Sequence, residues 1–532
     1  MKYNRRNKNF FEVSGLKIAL ANQMRGVDKN VIENYGLPEL SLMESAGRRV
    51  AREVARVADP IEKKTVCVAA GSGNNGGDAL AAARYLSNVG ARVKVFVLEG
   101  KNGRSESLDV QIKVLRAMNV EIQMLDSDRA WERMQVQLRF ADVVVDGILG
   151  TGFSGQLRPN ALRLIRLVNS ANKPVVSIDI PSGVASDTGQ TGDAAVKAVC
   201  TVALGLPKVG HYISPGAGLV GEIVIDGIGL PSQLLSDDIH QTLVDDALAI
   251  TLLPERPRDA HKGSCGKILV VAGSRGLTGA ASLASMAALK AGAGLVTLAV
   301  PESLNPIFEA KLTEVMTAPI VETKMGVLGG DKALEQISEL TDKADVILIG
   351  PGLGRAKETL SLVRKLVPMI EKPLVLDADG IYAFNDKIEE LKACKQIPIL
   401  TPHLGELAAL LGKTVEELRK DLVTTVREAA VEYRAIIVAK CETTVIAYPN
   451  GEIFISPLGN AGMATGGSGD VLSGAIAGLI KLTPFAPLAG VYLQGSAGDL
   501  AFVEKSEGLI ATDILERIPE ALKKIRRLQA DA

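Results

Sequence analysis

The sequence feature that most constrains the fold is a regular alternation of short, continuous apolar runs with longer segments of helical period. In the first half of the chain, the apolar runs are 65–70, 93–98, 143–146, 175–180, 199–204 and 223–225. In the second half they are 267–273, 295–300, 345–350, 374–377, 397–401 and 436–439. Unbroken apolar runs are typical of strands buried on both faces, and their alternation with helices indicates mainly parallel sheets covered on both sides. The pattern therefore predicts an α/β fold in both halves, and Asn450-Gly451 between apolar arms predicts a hairpin.

The chain is too long for a single hydrophobic core, because its 532 residues exceed the size at which one core stops growing. The strand pattern stops after Leu230, and prolines and charges at 254–259 mark a boundary. We therefore predict a division after Ile239. A Rossmann-like three-layer domain is expected at 1–239, and a second α/β domain is expected at 240–532.

Composition and charge exclude several classes of protein. The net charge is −1 and aromatic residues make up 4%, which argues against attraction to nucleic acid and against stacking platforms for bases. No uncharged stretch reaches membrane-spanning length. Glu12 and Lys17 interrupt the apolar run that a secretory signal needs. The cysteines include no CxxC pair, so their spacing indicates neither a disulfide framework nor a zinc site. We expect a soluble, cytoplasmic homo-oligomer that acts on small molecules, with no nucleic-acid or membrane partner.

Three polar, glycine-rich clusters follow predicted strands of the first half. They are AGSGNNGGDAL from Ala70, DGILGTGFSGQLR from Asp146 and DIPSGVASDTG from Asp179. Each cluster alone could be an ordinary turn, because Gly, Asn, Asp and Ser dominate turns. The carboxyl ends of parallel strands meet at one edge of the sheet, where such proteins bind ligands, so the three clusters together predict a pocket. Their amide, carboxylate and hydroxyl oxygens also suit a hard cation.

The stretch NAGMATGGSGDVLSG, from Asn460 to Gly474, concentrates the chemistry of the second half. It predicts a loop of free N–H groups that leads into the N-terminus of a buried helix, an arrangement that binds phosphate. Asp470 is either an N-cap or a general base that takes a proton from an attacking hydroxyl. His403 and Lys440 follow predicted strands. A structural role stays open for both, and the functional interpretations are contact with the substrate and with a diphosphate.

The clusters of the first half resemble the NAD(P)H-hydrate epimerase family, whose mark is an N-N-G-G-D loop after the first strand. One departure is Ala79, where the family usually has Gly. The resemblance implies that a hydrated nicotinamide nucleotide contacts Asn74, Asn75, Gly76, Gly77, Asp78, Gly150, Thr151, Gly152, Phe153, Ser154, Gly155, Gln156 and Asp179. It also implies a potassium ion near Asn75, Asp146 and Ser182. Reversible opening at the hydroxylated carbon needs an acid/base group, for which Asp146 is our candidate.

The second half resembles the NAD(P)H-hydrate dehydratase family, which has the ribokinase-like α/β fold. The matching motifs are HKG at His261, GPGLG, DAD, TPHxGE, KxxTT and NAGMATGGSGD, while Leu404 and DADGIY depart from the family pattern. The resemblance implies substrate contacts from Ala280, Gly354, His403 and Asp470. It implies that ADP, accompanied by Mg²⁺, contacts Lys440, Cys441, Glu442, Thr443, Thr444, Asn460, Ala461, Gly462, Met463, Ala464, Thr465, Gly466, Gly467, Ser468 and Gly469.

Together the resemblances imply a two-step repair of hydrated NADH and NADPH. The first domain would interconvert the R and S hydrates, and the second would dehydrate the S form with ADP, giving AMP and phosphate. Phosphorylation turns the ring hydroxyl into a good leaving group, and Asp470 would remove its proton. Two alternatives stay open. One is a ribokinase-like kinase for a small vitamin alcohol, and the other is a first half that is a non-catalytic nucleotide-binding module.

Overall fold

The described part of the chain separates into two compact units. The structure, a computed structural model, describes residues 15–100, 103–236 and 238–531. The first unit spans Lys17–His240, and the second begins at Gln241. Gly15 and Leu16 belong to the second unit, where the Leu243 N–H donates a hydrogen bond of 2.8 Å to the Leu16 carbonyl. The sequence pattern had no signal for this pairing and assigns both residues to the first domain. The assignment of one activity to each domain stays a prediction.

The first unit contains one seven-stranded parallel sheet, in the order β3-β2-β1-β4-β5-β6-β7. Its strands are β1 Thr65–Ala70, β2 Arg92–Val97, β3 Glu121–Met124, β4 Val143–Gly147, β5 Val175–Ile178, β6 Cys200–Leu204 and β7 Glu222–Asp226. The strand order reverses between β1 and β4, and ligands bind at such switch points in doubly wound sheets. The predicted Rossmann-like fold is confirmed by this order.

The helices of the first unit place the first predicted cluster at the edge of the sheet. They are α1 Ala21–Glu33, α2 Glu39–Val57, α3 Asn74–Asn88, α4 Glu106–Ala117, α5 Asp128–Phe140 and α6 Pro159–Ser170. Helix α2 buries Leu42, Ala46, Val50 and Val54 at intervals of four residues, so it presents one apolar stripe to strands β4, β5 and β6. Helix α3 begins soon after β1, and the N-N-G-G-D sequence forms its first turn.

The second unit contains a ten-stranded mixed sheet, in the order β11-β10-β9-β12-β13-β14-β15-β16-β17-β8. Its strands are β8 Gln241–Leu243, β9 Lys267–Val271, β10 Leu295–Pro301, β11 Met316–Ile320, β12 Val346–Ile349, β13 Leu374–Leu376, β14 Ile399–Leu400, β15 Ile436–Ala439, β16 Thr444–Ala447 and β17 Ile453–Ser456. Strands β9 to β15 run parallel, whereas β15, β16 and β17 pair antiparallel. The predicted hairpin is confirmed, since Asn450 and Gly451 lie in the turn between β16 and β17.

Close helix packing in the second unit positions the predicted phosphate-binding helix. The helices are α7 Asp246–Leu252, α8 Thr278–Ala291, α9 Asn305–Lys311, α10 Asp331–Lys343, α11 Lys357–Leu366, α12 Asp379–Tyr382, α13 Leu404–Leu411, α14 Val415–Lys420, α15 Leu422–Glu432, α16 Ser468–Leu479, α17 Ala486–Lys505 and α18 Ala511–Asp531. A Cβ placed on Gly474 would lie 2.1 Å from the Ala284 carbonyl oxygen, and one on Gly478 would lie 2.3 Å from that of Ala288. Helix α16 therefore lies backbone to backbone on α8, and it also packs on β12 and β13.

Across the three described ranges, no helix combines the length and the apolar character that crossing a bilayer requires. The predicted location in the cytoplasm and the predicted homo-oligomer stay predictions.

Candidate active sites

A cavity of about 990 Å³ lies at the carboxyl ends of the strands in the first unit. This volume is at the upper end of the range for small-molecule sites, roughly 300–1,000 Å³. Its lining includes ten of the thirteen predicted nucleotide contacts, namely Asn74, Asn75, Asp78, Gly150, Thr151, Gly152, Phe153, Ser154, Gln156 and Asp179. The residues come from three separate strand ends, so the structure brings the three glycine-rich clusters together.

The other three predicted contacts, Gly76, Gly77 and Gly155, are not among the residues that line the cavity. Gly76 and Gly77 are buried in the first turn of α3. A Cβ on Gly76 would lie 2.1 Å from the Gly71 carbonyl oxygen, and one on Gly77 would lie 2.3 Å from Cε of Met43. These two glycines let α3 pack closely against the preceding loop and α2. Gly155 has a φ of 80° and shapes the loop after β4.

The predicted cation ligands Asn75, Asp146 and Ser182 lie together around the backbone of Leu149. Asp146 is fully buried and accepts hydrogen bonds from the Ser177 hydroxyl at 2.8 Å and from the Ser182 hydroxyl at 2.5 Å. The Leu149 carbonyl accepts one from the Asn75 amide at 2.9 Å and one from the Ser182 hydroxyl at 3.1 Å. Burial raises the pKa of Asp146, and the serine hydrogen bonds oppose this rise. Asp146 is not among the residues that line the cavity.

Five charged residues that line this cavity lie outside the glycine-rich clusters and were not among the predicted contacts. They are Arg25 and Asp28 on α1, Glu39 at the start of α2, Glu99 after β2 and Lys208 after β6. Lys208 is 1% exposed, forms a salt bridge with Asp179 and donates a hydrogen bond of 2.8 Å to the Leu204 carbonyl. Because Lys208 follows a predicted strand, the strand-end rule could have found it. Asp28 has no such signal, since it stands alone on an amphipathic helix.

Two carboxyl groups of this cavity, those of Asp28 and Asp78, have raised pKa values. Burial raises the pKa of Asp28 to about 6, Lys208 lowers it, and Asp179 and Glu39 raise it further. Burial also raises the pKa of Asp78 well above its usual range, and repulsion by Asp179 and Asp28 adds to the effect. Within the part of the chain that the structure describes, neither Asp28 nor Asp78 has a hydrogen-bond partner for its carboxyl group. Carboxyl groups with raised and unequal pKa values are typical of acid/base sites.

In the second unit, Asp470 lies in the first turn of α16, three residues after the N-cap. The N-cap residue is Gly467, whose φ of 98° lies in the left-handed region. The structural alternative for Asp470 is therefore wrong, because another residue caps the helix. Burial and repulsion by Asp377 raise the pKa of Asp470 to about 7, although Lys440 lowers it. A carboxyl group with this pKa accepts and releases a proton near neutral pH.

Lys440 follows β15 and brings a positive charge to the same turn. Its Nζ donates a hydrogen bond of 2.9 Å to Asp377, which accepts another of 2.7 Å from the Thr401 hydroxyl. A Cβ placed on Gly469 would lie 2.9 Å from Nζ, so the ammonium group lies beside the backbone of α16. Burial lowers the pKa of Lys440, but nearby carboxylates, Asp377 foremost, raise it above its usual value overall. Lys440 therefore keeps its charge.

His403 has a structural role that the sequence left open. It is the N-cap of α13, and its Nδ1 accepts hydrogen bonds from the N–H groups of Gly405 at 3.0 Å and Glu406 at 3.2 Å. Its Nε2 lies 3.5 Å from a carboxylate oxygen of Glu406, and the side chain is 61% exposed. The cap fixes the orientation of the ring while its outer face stays accessible. Substrate contact by His403 stays a prediction.

The loop that follows β12 contains Gly354, one of the other two predicted substrate contacts, and packs against Ala280, the second. Gly354, with a φ of 79°, donates a hydrogen bond of 2.8 Å to Asp379, and the Arg355 Nε donates one of 3.0 Å to the same carboxylate. A Cβ on Gly352 would lie 3.1 Å from Cβ of Ala280, so Ala280 on α8 lies against this loop. Asp379 thus fixes the loop in place.

The first segment of predicted ADP contacts is the turn between β15 and β16. Thr443 is buried, and its carbonyl accepts a hydrogen bond of 2.8 Å from the Cys441 thiol. Burial raises the pKa of Cys441 to about 11, so this thiol is not a nucleophile at neutral pH. Glu442 forms a salt bridge of 2.8 Å with Arg419, and Thr444 begins β16.

The second segment runs from Asn460 to the start of α16. The Asn460 amide donates a hydrogen bond of 2.9 Å to Asp499, and its oxygen accepts one of 3.1 Å from the Gly462 N–H. The Ser468 hydroxyl accepts one of 3.0 Å from Gln494. Between these anchors Ala461, Ala464 and Gly466 are exposed, and Met463, Thr465 and Gly469 are half-buried. The segment is therefore fixed at both ends and accessible between them.

These folds and loops define a two-domain α/β enzyme with one candidate ligand site in each domain. A family model described as NAD(P)H-hydrate dehydratase matches residues 268–520, and one described as YjeF-related protein N-terminus matches residues 39–210. The chain is 39% identical to the bifunctional NAD(P)H-hydrate repair enzyme Nnr of Moorella thermoacetica, over 96% of this chain and 97% of that protein. It is 40% identical to the Thermofilum pendens protein of the same name, with the same coverages.

The chain therefore belongs to the family of bifunctional NAD(P)H-hydrate repair enzymes. This confirms the resemblance that the motifs of both halves predicted, and the ribokinase-like fold class of the second half. The chain is also similar to a crystal structure of the ADP/ATP-dependent NAD(P)H-hydrate dehydratase from Bacillus subtilis, co-crystallised with ATP and Mg²⁺. The match spans 53% of this chain and 98% of the Bacillus subtilis chain. Its sequence is 29% identical and its TM-score is 0.45.

Proposed function

We propose that this chain repairs hydrated NADH and NADPH. The first unit interconverts the R and S hydrates, and the second dehydrates the S hydrate with ADP, giving AMP and phosphate. The observation that carries the proposal is the placement of Asp470 and Lys440 together at the N-terminus of α16. Family membership supports the proposal, because relatives that match this chain over 96% of its length are named for this activity.

The turn at the start of α16 suits transfer of a phosphoryl group to the ring hydroxyl. The Asp470 carboxylate takes the hydroxyl proton while the oxygen attacks the terminal phosphorus of ADP, and AMP leaves with the electrons of the broken P–O bond. The free N–H groups of the turn and the Lys440 charge stabilise the transferring phosphoryl group, and Mg²⁺, when bound with ADP, would supply further positive charge. The lone pair of the ring nitrogen then expels phosphate, and loss of a proton from the adjacent carbon restores the dihydropyridine.

For the first unit we propose that Asn75, Asp146 and Ser182 hold a potassium ion. The donor set fits, because it offers only oxygen atoms and a single formal charge, and the Leu149 carbonyl lies among them. Zinc prefers nitrogen and sulfur ligands, and within the described residues no group of three or more His, Cys, Asp or Glu side chains could hold a metal ion. A bound cation would tie the start of α3 to the loop after β4.

The alternative of a small-molecule kinase is weaker, because relatives that match this chain along nearly its whole length are named hydrate repair enzymes. A non-catalytic first half is also disfavoured. Relatives that match both halves of the chain are named bifunctional enzymes, which a first half that only binds a nucleotide would not explain. An acid/base role for Asp146 stays a prediction, and its burial behind the cavity lining does not favour it.

The proposal is tested by incubating the full chain with a mixture of R and S hydrates of NADH. With ADP, both hydrates should disappear and NADH and AMP should form in equal amounts. Without ADP, a sample of pure R hydrate should relax to a mixture of both epimers with no NADH formed. Formation of a stable phosphorylated product would favour the kinase instead. Complete loss of the S hydrate with persistence of the R hydrate would mean that the first unit has no epimerase activity.

A further inference from the structure

We propose that Asp28 and Asp78 are the acid/base pair of epimerisation, with Asp28 as the base that takes the hydroxyl proton and Asp78 as the acid. The inference rests on the proposed epimerase activity and assigns residues to it. Both carboxyl groups line the cavity that the nucleotide-binding loops form. They come from different helices, α1 and α3, so they can approach a ligand from two directions.

Among the described residues, Asp28 and Asp78 are the carboxyl groups of this cavity that are left without a partner. The other carboxyl groups of the region already have partners. Asp179 pairs with Lys208, and Glu39 accepts a hydrogen bond from the Asn74 amide. Asp146 accepts hydrogen bonds from the hydroxyl groups of Ser177 and Ser182. Across residues 15–100, 103–236 and 238–531, the carboxyl groups of Asp28 and Asp78 have no hydrogen-bond donor. A half-buried carboxyl group without a partner loses solvation and gains nothing in return, so a ligand is expected to supply the missing contacts.

The surroundings of Asp28 and Asp78 favour different protonation states of the two carboxyl groups. Asp28 is faced by Glu39 on α2, by Asp179 after β5 and by Lys208 after β6, and Arg25 lies one turn away on α1. Lys208 keeps the pKa of Asp28 near 6, so Asp28 is ionised at neutral pH. Within the described ranges, no positive charge opposes the rise at Asp78, where burial and the charges of Asp179 and Asp28 raise the pKa well above its usual range and so favour the protonated form. One ionised and one protonated carboxyl group is the state that proton exchange requires.

The chemistry balances with these two groups alone. The Asp28 carboxylate takes the hydroxyl proton, the C=O bond forms, and the bond between that carbon and the ring nitrogen breaks. The nitrogen takes the bonding electron pair and receives the proton of Asp78. Rotation presents the other face of the aldehyde to the nitrogen, and the same two proton transfers in reverse close the ring as the opposite epimer. No oxidant, reductant or further reactant takes part.

The test uses the full chain without ADP, so that only epimerisation of pure R hydrate is followed. Asp28→Asn should lower kcat by at least ~100-fold with little change in KM, because loss of a general base affects the chemical step. The wild-type kcat/KM should rise with pH through about 6, and this limb should vanish in Asp28→Asn. Asp28→Glu keeps the carboxylate and should keep the limb with only partial loss of rate.

Two controls separate catalysis from folding. Asp126→Asn removes the same charge from an exposed site before α5 and should leave kcat unchanged. Dehydration of S hydrate with ADP reports on the second unit of the same chain and should be normal in every variant. If Asp28→Asn fails to fold, the wild-type pH profile decides, and a profile without a limb near 6 would overturn the assignment.

Other outcomes are equally decisive. Full kcat in Asp28→Asn, or a loss confined to KM, would overturn the proposal and make Asp28 a binding residue at most. Loss of kcat in Asp146→Asn together with normal kcat in Asp28→Asn would give the acid/base role to Asp146. A wild-type chain that dehydrates S hydrate but never epimerises R hydrate would refute the proposed epimerase activity itself.

Discussion

Asp470 combines two properties that a general base needs, a pKa near neutrality and a position beside a phosphate-binding helix terminus. Asp470→Asn keeps the shape of the side chain and removes the base. We expect dehydration of S hydrate to fall by at least ~100-fold while ADP still binds. Product formation and the Kd for ADP are the two measurements. A variant that retains half of the activity would remove Asp470 from the mechanism.

The same substitution makes a stability prediction whose sign follows from the raised pKa. The folded state binds the Asp470 proton more tightly than the unfolded chain does, so the wild type loses stability as the pH rises from the ordinary value of 3.8 through about 7. Asp470→Asn has no charge to bury. Its second unit should therefore be more stable than the wild type at pH 8 and should lose this advantage as the pH falls toward 4.

Thermal unfolding at several pH values measures this difference, with Asp342→Asn on an exposed position of α10 as the matched control. The control should show no pH-dependent gain. A constant difference between Asp470→Asn and the wild type across the whole range would mean that the carboxyl group of Asp470 titrates normally.

Residue-scale prediction from sequence worked where a side chain belongs to a dense local pattern. Asp470 and Lys440 belong to glycine- or threonine-rich clusters after strands, and the structure brings them together. Asp28 was missed because the fold, not the local sequence, brings α1 to the cavity, whereas Lys208 follows a predicted strand and was within reach of the strand-end rule. The partner of Lys440 was also hidden, since Asp377 lies 63 positions earlier in the chain.

At the scale of elements, the start of α16 depends on one glycine. Gly467 has a φ of 98°, and a Cβ there would lie 2.6 Å from Cδ1 of Leu283 and 2.9 Å from Cβ of Ala511. Gly467→Ala should lower the free energy of unfolding of the second unit by at least ~1 kcal/mol, because an L-residue is strained in this region. Dehydration should fall with it, as the turn that carries the N–H groups shifts.

Gly466→Ala is the matched control for stability, because it adds the same methyl group with nothing within 4 Å of it. Its unfolding midpoint should equal that of the wild type, as measured by thermal or urea unfolding. Equal destabilisation of both variants would show that the left-handed backbone of Gly467 is not what fixes the turn.

The loops that follow β1 and β4 form the second element-scale test. If a potassium ion joins Asn75 to Asp146 and Ser182, it orders these loops and supports substrate binding, not the bond-making step. Replacing potassium by lithium should therefore weaken epimerisation mainly through KM, and EDTA should have no effect. Activity lost in EDTA and restored by a divalent ion would contradict the assignment.

The sequence predicted the buried strands and the edge strand Glu222–Asp226, but it missed three other edge strands for physical reasons. Strands such as Val143–Gly147 and Val346–Ile349 are buried on both faces and read as continuous apolar runs. The missed strands Glu121–Met124 and Met316–Ile320 lie at sheet edges, and every residue of the two except Ile320 is half-buried or exposed. The strand Gln241–Leu243 was missed because a strand of three residues is too short to show a periodic pattern of apolar residues.

The two units differ in how their strands position the residues of the candidate sites. The first collects its cavity from the ends of a uniformly parallel sheet, so the predicted contacts converge by topology alone. The second adds an antiparallel hairpin after β15, and the turn before that hairpin carries Lys440 and Thr443. Each unit has its own sheet and its own candidate site, which is the condition for independent function.

Expressing residues 17–240 and 241–532 as two separate fragments should therefore separate the two activities. The fragment 17–240 should equilibrate R and S hydrates without ADP, and the fragment 241–532 should consume only S hydrate with ADP. Mixing the fragments should restore complete conversion of an R and S mixture, since the hydrate diffuses between them. Adding residues 1–16 back to the second fragment should raise its thermal stability, because the Leu243 N–H regains the Leu16 carbonyl. Two insoluble fragments from a soluble full chain would show that the units do not fold independently.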